Sequence, residues 1–208
     1  KMKKTPIDVF SDWAVTGKDK GMEKNHAGSV EDMLGFASKN LKRFSFIDAG
    51  CGNGWVVRKV SKKKECINSI GVDGSSKMID KAVSLDKKNN YYCYNLLKWM
   101  PEKPVDLVHS MEVFYYFENP KKIIKHIYRN WIKTGGRLIM GIDFYYENKI
   151  SHGWPDETNV NTMTLLKEKN WINIFNEVGF LDVKKWRSGE KNDWAGTLII
   201  TGVKNKEK

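Results

Sequence analysis

A glycine-rich heptad, Asp48-Ala49-Gly50-Cys51-Gly52-Asn53-Gly54, carries the clearest chemical signal in this chain. It follows a short apolar run, Phe44–Asp48, that reads as a buried strand ending in an acid. It precedes a stretch, Trp55–Val60, that reads as the start of a helix. A turn from strand into helix presents backbone N–H groups at a helix N-terminus, and glycine lets the backbone take positive φ and come close to a ligand. That arrangement suits a nucleoside or a nucleotide, and the spacing narrows the choice. A dinucleotide fingerprint, G-x-G-x-x-G, needs its third glycine at position 55, where Trp55 stands. A triphosphate loop needs Gly-Lys followed by Ser or Thr, and Gly54 is followed by Trp55. The second piece is Gly71-Val72-Asp73-Gly74-Ser75, whose acid ends a second strand 25 positions after Asp48. A carboxylate placed there can accept hydrogen bonds from both hydroxyls of a ribose.

Taken together, the loop, its flanking strand and helix, and the acid at Asp73 resemble the class I S-adenosylmethionine-dependent methyltransferases. The specific motifs cover roughly positions 42–145. The resemblance implies S-adenosylmethionine as cofactor and S-adenosylhomocysteine as product. It implies that Asp48, Gly50, Cys51, Gly52 and Gly54 form the cofactor loop and that Asp73 holds the ribose, with Gly74, Ser75 and Met78 beside it. Asn95, after the third strand, matches a position that usually holds an Asp facing the adenine amino group; its amide carbonyl is still an acceptor. Leu96 would line the adenine pocket, and Ser110-Met111-Glu112 would lie against the methionine half. In such enzymes the N-terminal segment often folds over the cofactor, which assigns Trp13 and Met22 to a lid spanning about Trp13–His26.

Methyl transfer is a displacement at a sulfonium methyl, so the enzyme chiefly aligns nucleophile, carbon and sulfur. Orientation alone is worth about 7–11 kcal/mol, and a base is needed only if the nucleophile must lose a proton. Acceptor-side candidates come from the loops beyond the strand ends. His152 is the first choice of general base, Glu147 the second, with Tyr146 beside them; Tyr145, Trp154, Phe114, Tyr115, Tyr116, Asp193 and Trp194 are further candidates. The Asn/Asp-Pro-Pro-Tyr motif of amino-group methylation on bases or glutamine does not follow the fourth strand, and no cysteine follows it either.

These residues need a scaffold of alternating strands and helices. A helix is expected to begin at Ser29, capped by its hydroxyl, with Val30, Met33, Leu34, Ala37 and Leu41 on one face. Strands are expected at Phe44–Asp48, Ser69–Asp73, Tyr91–Tyr94, Val105–His109 and Arg137–Asp143, then at Val183–Arg187 and Thr197–Val203. Asn119–Pro120 starts a helix that Gly135–Gly136 is expected to end, and a helix over about Leu165–Val178 stops at Gly179. The last two strands are joined by too short a loop for a crossover, so they should pair antiparallel. The fold expected is α/β: a Rossmann-like, seven-stranded, mostly parallel sheet with helices on both faces and a C-terminal antiparallel hairpin. Residues 1–41 would form the lid and first helix, and residues 42–208 the methyltransferase domain.

Composition sets the remaining bounds. The chain has 208 residues and a formal net charge of +11, the lysines scattered in short runs such as Lys62–Lys64, Lys121–Lys122 and the terminal Lys204–Lys208. Scattered charge reads as solvated surface more than as a nucleic-acid stripe. Three cysteines, Cys51, Cys66 and Cys93, read as free thiols in a reducing compartment, and no metal-ligand spacing joins His26, His109, His126 and His152. No secretory signal and no apolar run of membrane-spanning length are apparent, so a cytoplasmic protein is expected. The expected activity is methylation of a small molecule. The alternatives are an RNA or protein methyltransferase, or a non-catalytic S-adenosylmethionine-binding protein. No metal is expected, and oligomeric state is left open.

Overall fold

In the computed structural model, which describes residues 2–205, seven strands form one sheet. They are β1 (Phe44–Ala49), β2 (Cys66–Asp73), β3 (Asn90–Cys93), β4 (Val105–Met111), β5 (Ile132–Ile142), β6 (Phe180–Ser188) and β7 (Thr197–Lys204). Residues 206–208 of the terminal lysine run lie outside the described range. The strand order is β3-β2-β1-β4-β5-β7-β6. Strands β1 to β5 pair in parallel, whereas β7 runs antiparallel to both β5 and β6. Every residue of β1 is buried, as expected of a parallel strand covered on both faces.

The helices are α1 (Pro6–Thr16), α2 (Asp19–Ser38), α3 (Trp55–Ser61), α4 (Ser76–Leu85), α5 (Pro120–Asn130), a single turn α6 (Trp154–Glu157) and α7 (Glu168–Val178). On one side of the sheet Val30, Met33 and Leu34 of α2 and Val56 and Val60 of α3 pack on Phe46, Leu107, Ile139 and Ile199. On the other side Ile123, Ile124 and Ile127 of α5 and Trp171 and Phe175 of α7 pack on Ile47, Val108, Leu138 and Ile200. These residues alternate along each strand, which is how a strand feeds two cores. The connection order reverses between β1 and β4, so a crevice opens beyond their carboxyl ends.

Several boundaries differ from the sequence reading. The helix expected at Ser29 begins at Asp19, and Ser29 Oγ instead shares a 2.7 Å hydrogen bond with Thr197 Oγ1. A separate helix, α1, precedes it, with Pro6 in its first turn, Thr5 capping Asp8 N, and Gly17 in the left-handed region at its end. The helix after Asn119 ends at Asn130, and Gly135–Gly136 lie inside β5. Strand β2 starts three residues earlier than expected, and α7 three residues later. Among the described residues no helix is long and apolar enough to cross a membrane.

Candidate active site

The crevice holds a cavity of about 250 Å³, continuous along its lining with a smaller one of about 30 Å³. Gly50, Gly52, Met22 and Met111 line both. The loop after β1 is what separates cavity from core. Gly50 N and Cys51 N both donate to Val72 O, at 2.8 and 3.0 Å, which folds the loop back over β2. Gly50, Gly52 and Gly54 all have positive φ. At Gly54 a Cβ would also meet the Tyr91 ring at 2.6 Å, so glycine is required there for packing rather than for ligand access.

Asp73 ends β2 beneath this loop. Its Oδ2 accepts from Gly52 N at 2.9 Å and its Oδ1 from Ser75 N at 2.8 Å. Burial raises its carboxyl above the usual range, the nearby Asp48 charge adds to this, and the two backbone donors oppose it. The acid therefore braces the loop as well as facing the cavity. Asn95 and Leu96 line the same end, beside Gly74 and Met78. Asn95 Oδ1 accepts from Leu97 N at 2.9 Å, so the carbonyl that matches an adenine acceptor also closes its own turn. Asp48 and Cys51 line the small cavity. Asp48 Oδ1 lies 2.7 Å from His109 Nδ1 inside the sheet, and burial pushes the Cys51 thiol well up.

Other expected contacts have different roles. Ser110 Oγ donates to Ala49 O in the core. Ser75 Oγ caps α4 through Met78 N and bonds Ser11 of α1 at 2.7 Å. Ser75, Ser110 and Gly54 line neither cavity. Trp13 does not line them either; it packs edge-on against Phe10, and Phe10 is the α1 aromatic that forms the wall, with Thr5, Pro6 and Ile7.

The sequence reading named Met22 as part of a lid but missed Asp19 and His26, which share the inward face of α2 with it. Asp19, Met22 and His26 continue the stripe of Val30 and Met33 toward the helix N-terminus, where its members become polar. Asp19 is buried; it accepts from Asn53 Nδ2 at 2.8 Å and from Lys81 Nζ at 2.6 Å, which ties α2 to the cofactor loop and to α4. His26 Nδ1 lies 3.5 Å from Asp143 Oδ2 at the end of β5. Asp143 Oδ1 accepts from Thr197 Oγ1 at 2.7 Å. Glu112, at the end of β4, accepts from Asp143 N and, at 2.6 Å, from the Tyr115 hydroxyl. His26, Glu112 and Asp143 thus form one cluster although no spacing in the sequence joins them, with one donor atom of each lying within 4.8 Å of the other two.

The expected acid–base candidates do not reach the cavity. His152 is exposed, with Nε2 2.9 Å from Tyr146 O. Glu147 accepts from Glu168 N at 2.9 Å and so caps α7. Tyr146 lies over the His152 ring and beneath Lys167. The reason is local: Asn148 Nδ2 donates to Asp143 O, and the Tyr145 hydroxyl reaches Ala195 O and Gly196 O, so the segment after β5 folds onto the β6–β7 turn. Trp154 and Trp194 stack there on each other. Tyr116 is the acceptor-side candidate that does line the cavity.

Comparison with known proteins agrees with this geometry. The methyltransferase-domain family matches residues 22–185. The chain is 30% identical over 147 residues to malonyl-[acyl-carrier protein] O-methyltransferase 2 of Ilyobacter polytropus, covering 66% of this chain and 54% of that one. The chain thus spans about half the length of this relative. The putative methyltransferase solved in complex with the Haloferax volcanii Trm112 methyltransferase activator superposes with a TM-score of 0.79 at 24% identity, over 95% of this chain and 98% of that one. The N-methyltransferase NodS of Bradyrhizobium japonicum, solved with S-adenosylhomocysteine, superposes with a TM-score of 0.67 at 16% identity, over 84% and 85% of the two chains. On the family match and on the cofactor loop it contains, the chain belongs to the methyltransferase-domain family: it is a class I, S-adenosylmethionine-dependent methyltransferase domain.

Proposed function

We propose that this protein transfers the methyl group of S-adenosylmethionine to a small-molecule acceptor. The observation that carries this reading is the charge of the cavity walls. Among the described residues lining the two cavities, the ionisable carboxyl and imidazole groups are Asp19, Asp48, Asp73, Glu112 and His26; none is Lys or Arg. A nucleic-acid acceptor is drawn in by cations facing its phosphates, and the lysines and arginines behind the +11 net charge are not among the described residues that line these cavities. The relative named for malonyl-[acyl-carrier protein] and the neighbour named an N-methyltransferase differ in acceptor, so the acceptor is read here from the cavity. A cytoplasmic location fits the three free cysteines. Incubation with tritiated S-adenosylmethionine, separately with a metabolite extract, total RNA and a protein extract, is expected to label the metabolite fraction. Label confined to RNA or protein would overturn the assignment.

The N-terminal helices act as the lid. Asp19 anchors α2 through Asn53 and Lys81, while α1, joined to it at Gly17 and held to α4 by the Ser11–Ser75 bond, is the part that opens in this reading. Excluding water over a sulfonium sharpens alignment and suppresses side reactions. Hydrogen exchange in α1 is expected to slow on adding S-adenosylhomocysteine, with α2 beyond Val30 unchanged. Equal protection of α1 in both states would make it a fixed wall.

A further inference from the structure

Asp48 and His109 form a buried polar pair on a face of the sheet that is otherwise apolar. They stand opposite each other on β1 and β4, and the next pair along that face is Phe46 and Leu107. Ile139 of β5 flanks His109 on its other side, and the Phe46 ring lies 6.2 Å from the imidazole. Asp48 Oδ1 is 2.7 Å from His109 Nδ1, and His109 is fully buried. A carboxylate oxygen only accepts, so Nδ1 is the donor. His109 Nε2 is buried with no hydrogen-bond partner among the described residues. A hydrogen on Nε2 would be stranded, so the ring carries its one hydrogen on Nδ1. Such a pair is a weak source of stability, because apolar side chains of similar volume often hold a buried site as well or better. The unpaired acceptor adds a further cost. The gain lies at the open end of the pair, where Asp48 lines the small cavity.

The other polar groups around that cavity are largely spent. Asp19 accepts from Asn53 Nδ2 and from Lys81 Nζ, whose charge also answers its own. Gly50 N and Cys51 N donate to Val72 O, Gly52 N to Asp73, and Gly54 N to Cys51 O. Asp48 Oδ1 is taken by His109, and among the described residues nothing donates to its second oxygen and no Lys or Arg pairs with it. The cavity thus holds a charged acceptor that lacks a donor. The adenosine of S-adenosylmethionine belongs with Asp73 and Asn95 in the large cavity. The small cavity adjoins it along Gly50, Gly52, Met22 and Met111, and the part of the cofactor left for it is the amino-acid head, whose α-ammonium is a charged donor. We infer that His109 is a positioning residue for the cofactor: its Nδ1–H fixes Asp48 so that the second carboxylate oxygen receives the α-ammonium. This assignment rests on the methyltransferase reading above. The ring acts by geometry and by staying uncharged. Holding one oxygen sets the direction of the other, so less ordering is needed on binding. A cation in place of the neutral ring would answer the Asp48 charge and weaken its pull on the ammonium. Anchoring the head in turn fixes where the sulfonium points, which is what methyl transfer asks of the protein.

The test uses the purified chain with S-adenosylhomocysteine and with methylthioadenosine, which keeps the adenosine and the thioether but has no amino-acid head. Calorimetry compares the wild type with His109→Leu, which fills the site without a donor, and with His109→Asn, whose amide nitrogen can stand where Nδ1 stands. His109→Leu is expected to raise the Kd for S-adenosylhomocysteine about 10- to 100-fold, the loss of a charge-assisted hydrogen bond. Its Kd for methylthioadenosine is expected to stay within about 2-fold of the wild type, and His109→Asn to recover most of the lost affinity. A role in folding alone would weaken both ligands together. Because a buried substitution can prevent folding, the wild-type ring is also followed by nitrogen NMR of histidine-labelled protein. Its His109 signal is expected to show hydrogen on Nδ1, and to move on adding S-adenosylhomocysteine but not on adding methylthioadenosine. Five results would overturn the assignment while S-adenosylhomocysteine still binds the wild type. They are equal loss of both ligands in His109→Leu, unchanged S-adenosylhomocysteine affinity in that variant, a folded His109→Asn that recovers nothing, a wild-type ring with its hydrogen on Nε2, or a ring signal that moves equally with both ligands. Failure of the wild type to bind S-adenosylhomocysteine would instead overturn the methyltransferase reading beneath it.

Discussion

Gly50→Ala is expected to lower the stability of the domain by about 2–4 kcal/mol, the combined cost of forcing a side chain into the left-handed region and of overpacking, and to abolish measurable S-adenosylhomocysteine binding. Gly50 has φ 76°, and a Cβ built on it falls into the Val113 side chain, inside contact distance of Cγ2 and 2.9 Å from Cγ1. Val113 cannot yield freely, because it follows Glu112, whose backbone is already held at positive φ. Relief would have to come from the cofactor loop, which would move into the cavity it lines. Gly52→Ala is the internal control. Its φ is 52°, but its Cβ would meet nothing within 4 Å. It should carry the backbone cost alone, about 1–2 kcal/mol. Urea unfolding of the two variants compares them directly, and equal destabilisation would show that the approach to Val113 is not the constraint.

Asp73→Ala is expected to weaken S-adenosylhomocysteine binding by about 1–3 kcal/mol, the range for leaving hydrogen-bonding groups unpaired, and also to lower the melting temperature. The sequence alone suggests that only binding should suffer, since an acid at a strand end packs little. The structure adds the two bonds to Gly52 N and Ser75 N, so the variant strands two backbone donors and loosens the loop. The sign of the pH effect follows from the raised carboxyl. The folded state holds its proton to higher pH than the unfolded chain, so this group's contribution to stability falls as pH rises from the ordinary 3.8 through the folded value. Ribose hydroxyls donate to the charged form and offset that cost, so the protein should gain more from S-adenosylhomocysteine at pH 7 than near pH 4. Calorimetry at both values checks this, and equal affinity would show that Asp73 does not hold the ribose.

What the sequence made legible was local. The loop at Asp48–Gly54 and the acid at Asp73 declare themselves through glycine spacing and a strand-end carboxylate, and the structure puts Gly50, Gly52 and Asp73 on one cavity. The seven strands and their antiparallel ending follow from apolar runs and loop lengths. On the first half of α2 only Met22 was singled out; Asp19 and His26 beside it were hidden because a hydrophobic-periodicity reading passes over polar members of a buried stripe. Continuing the Val30 stripe backward at three- and four-residue steps would have found them. His152, Glu147 and Tyr146 were placed by the rule that ligands lie beyond strand ends. That rule is silent on where the chain turns after β5, which the long-range bonds of Asn148 and Tyr145 decide. The His26–Asp143–Glu112 cluster joins α2, β5 and β4 across more than a hundred residues, and no local pattern encodes it.

The central claim is that the cavity under the Gly50–Gly54 loop is built for S-adenosylmethionine. Isothermal titration of the purified chain with S-adenosylhomocysteine, NAD and ATP tests it most directly. Saturable one-to-one binding of S-adenosylhomocysteine is the predicted result, with no heat from NAD or ATP and with the S-adenosylhomocysteine signal weakened in Asp73→Ala. Saturable binding of NAD or ATP with none of S-adenosylhomocysteine would contradict it.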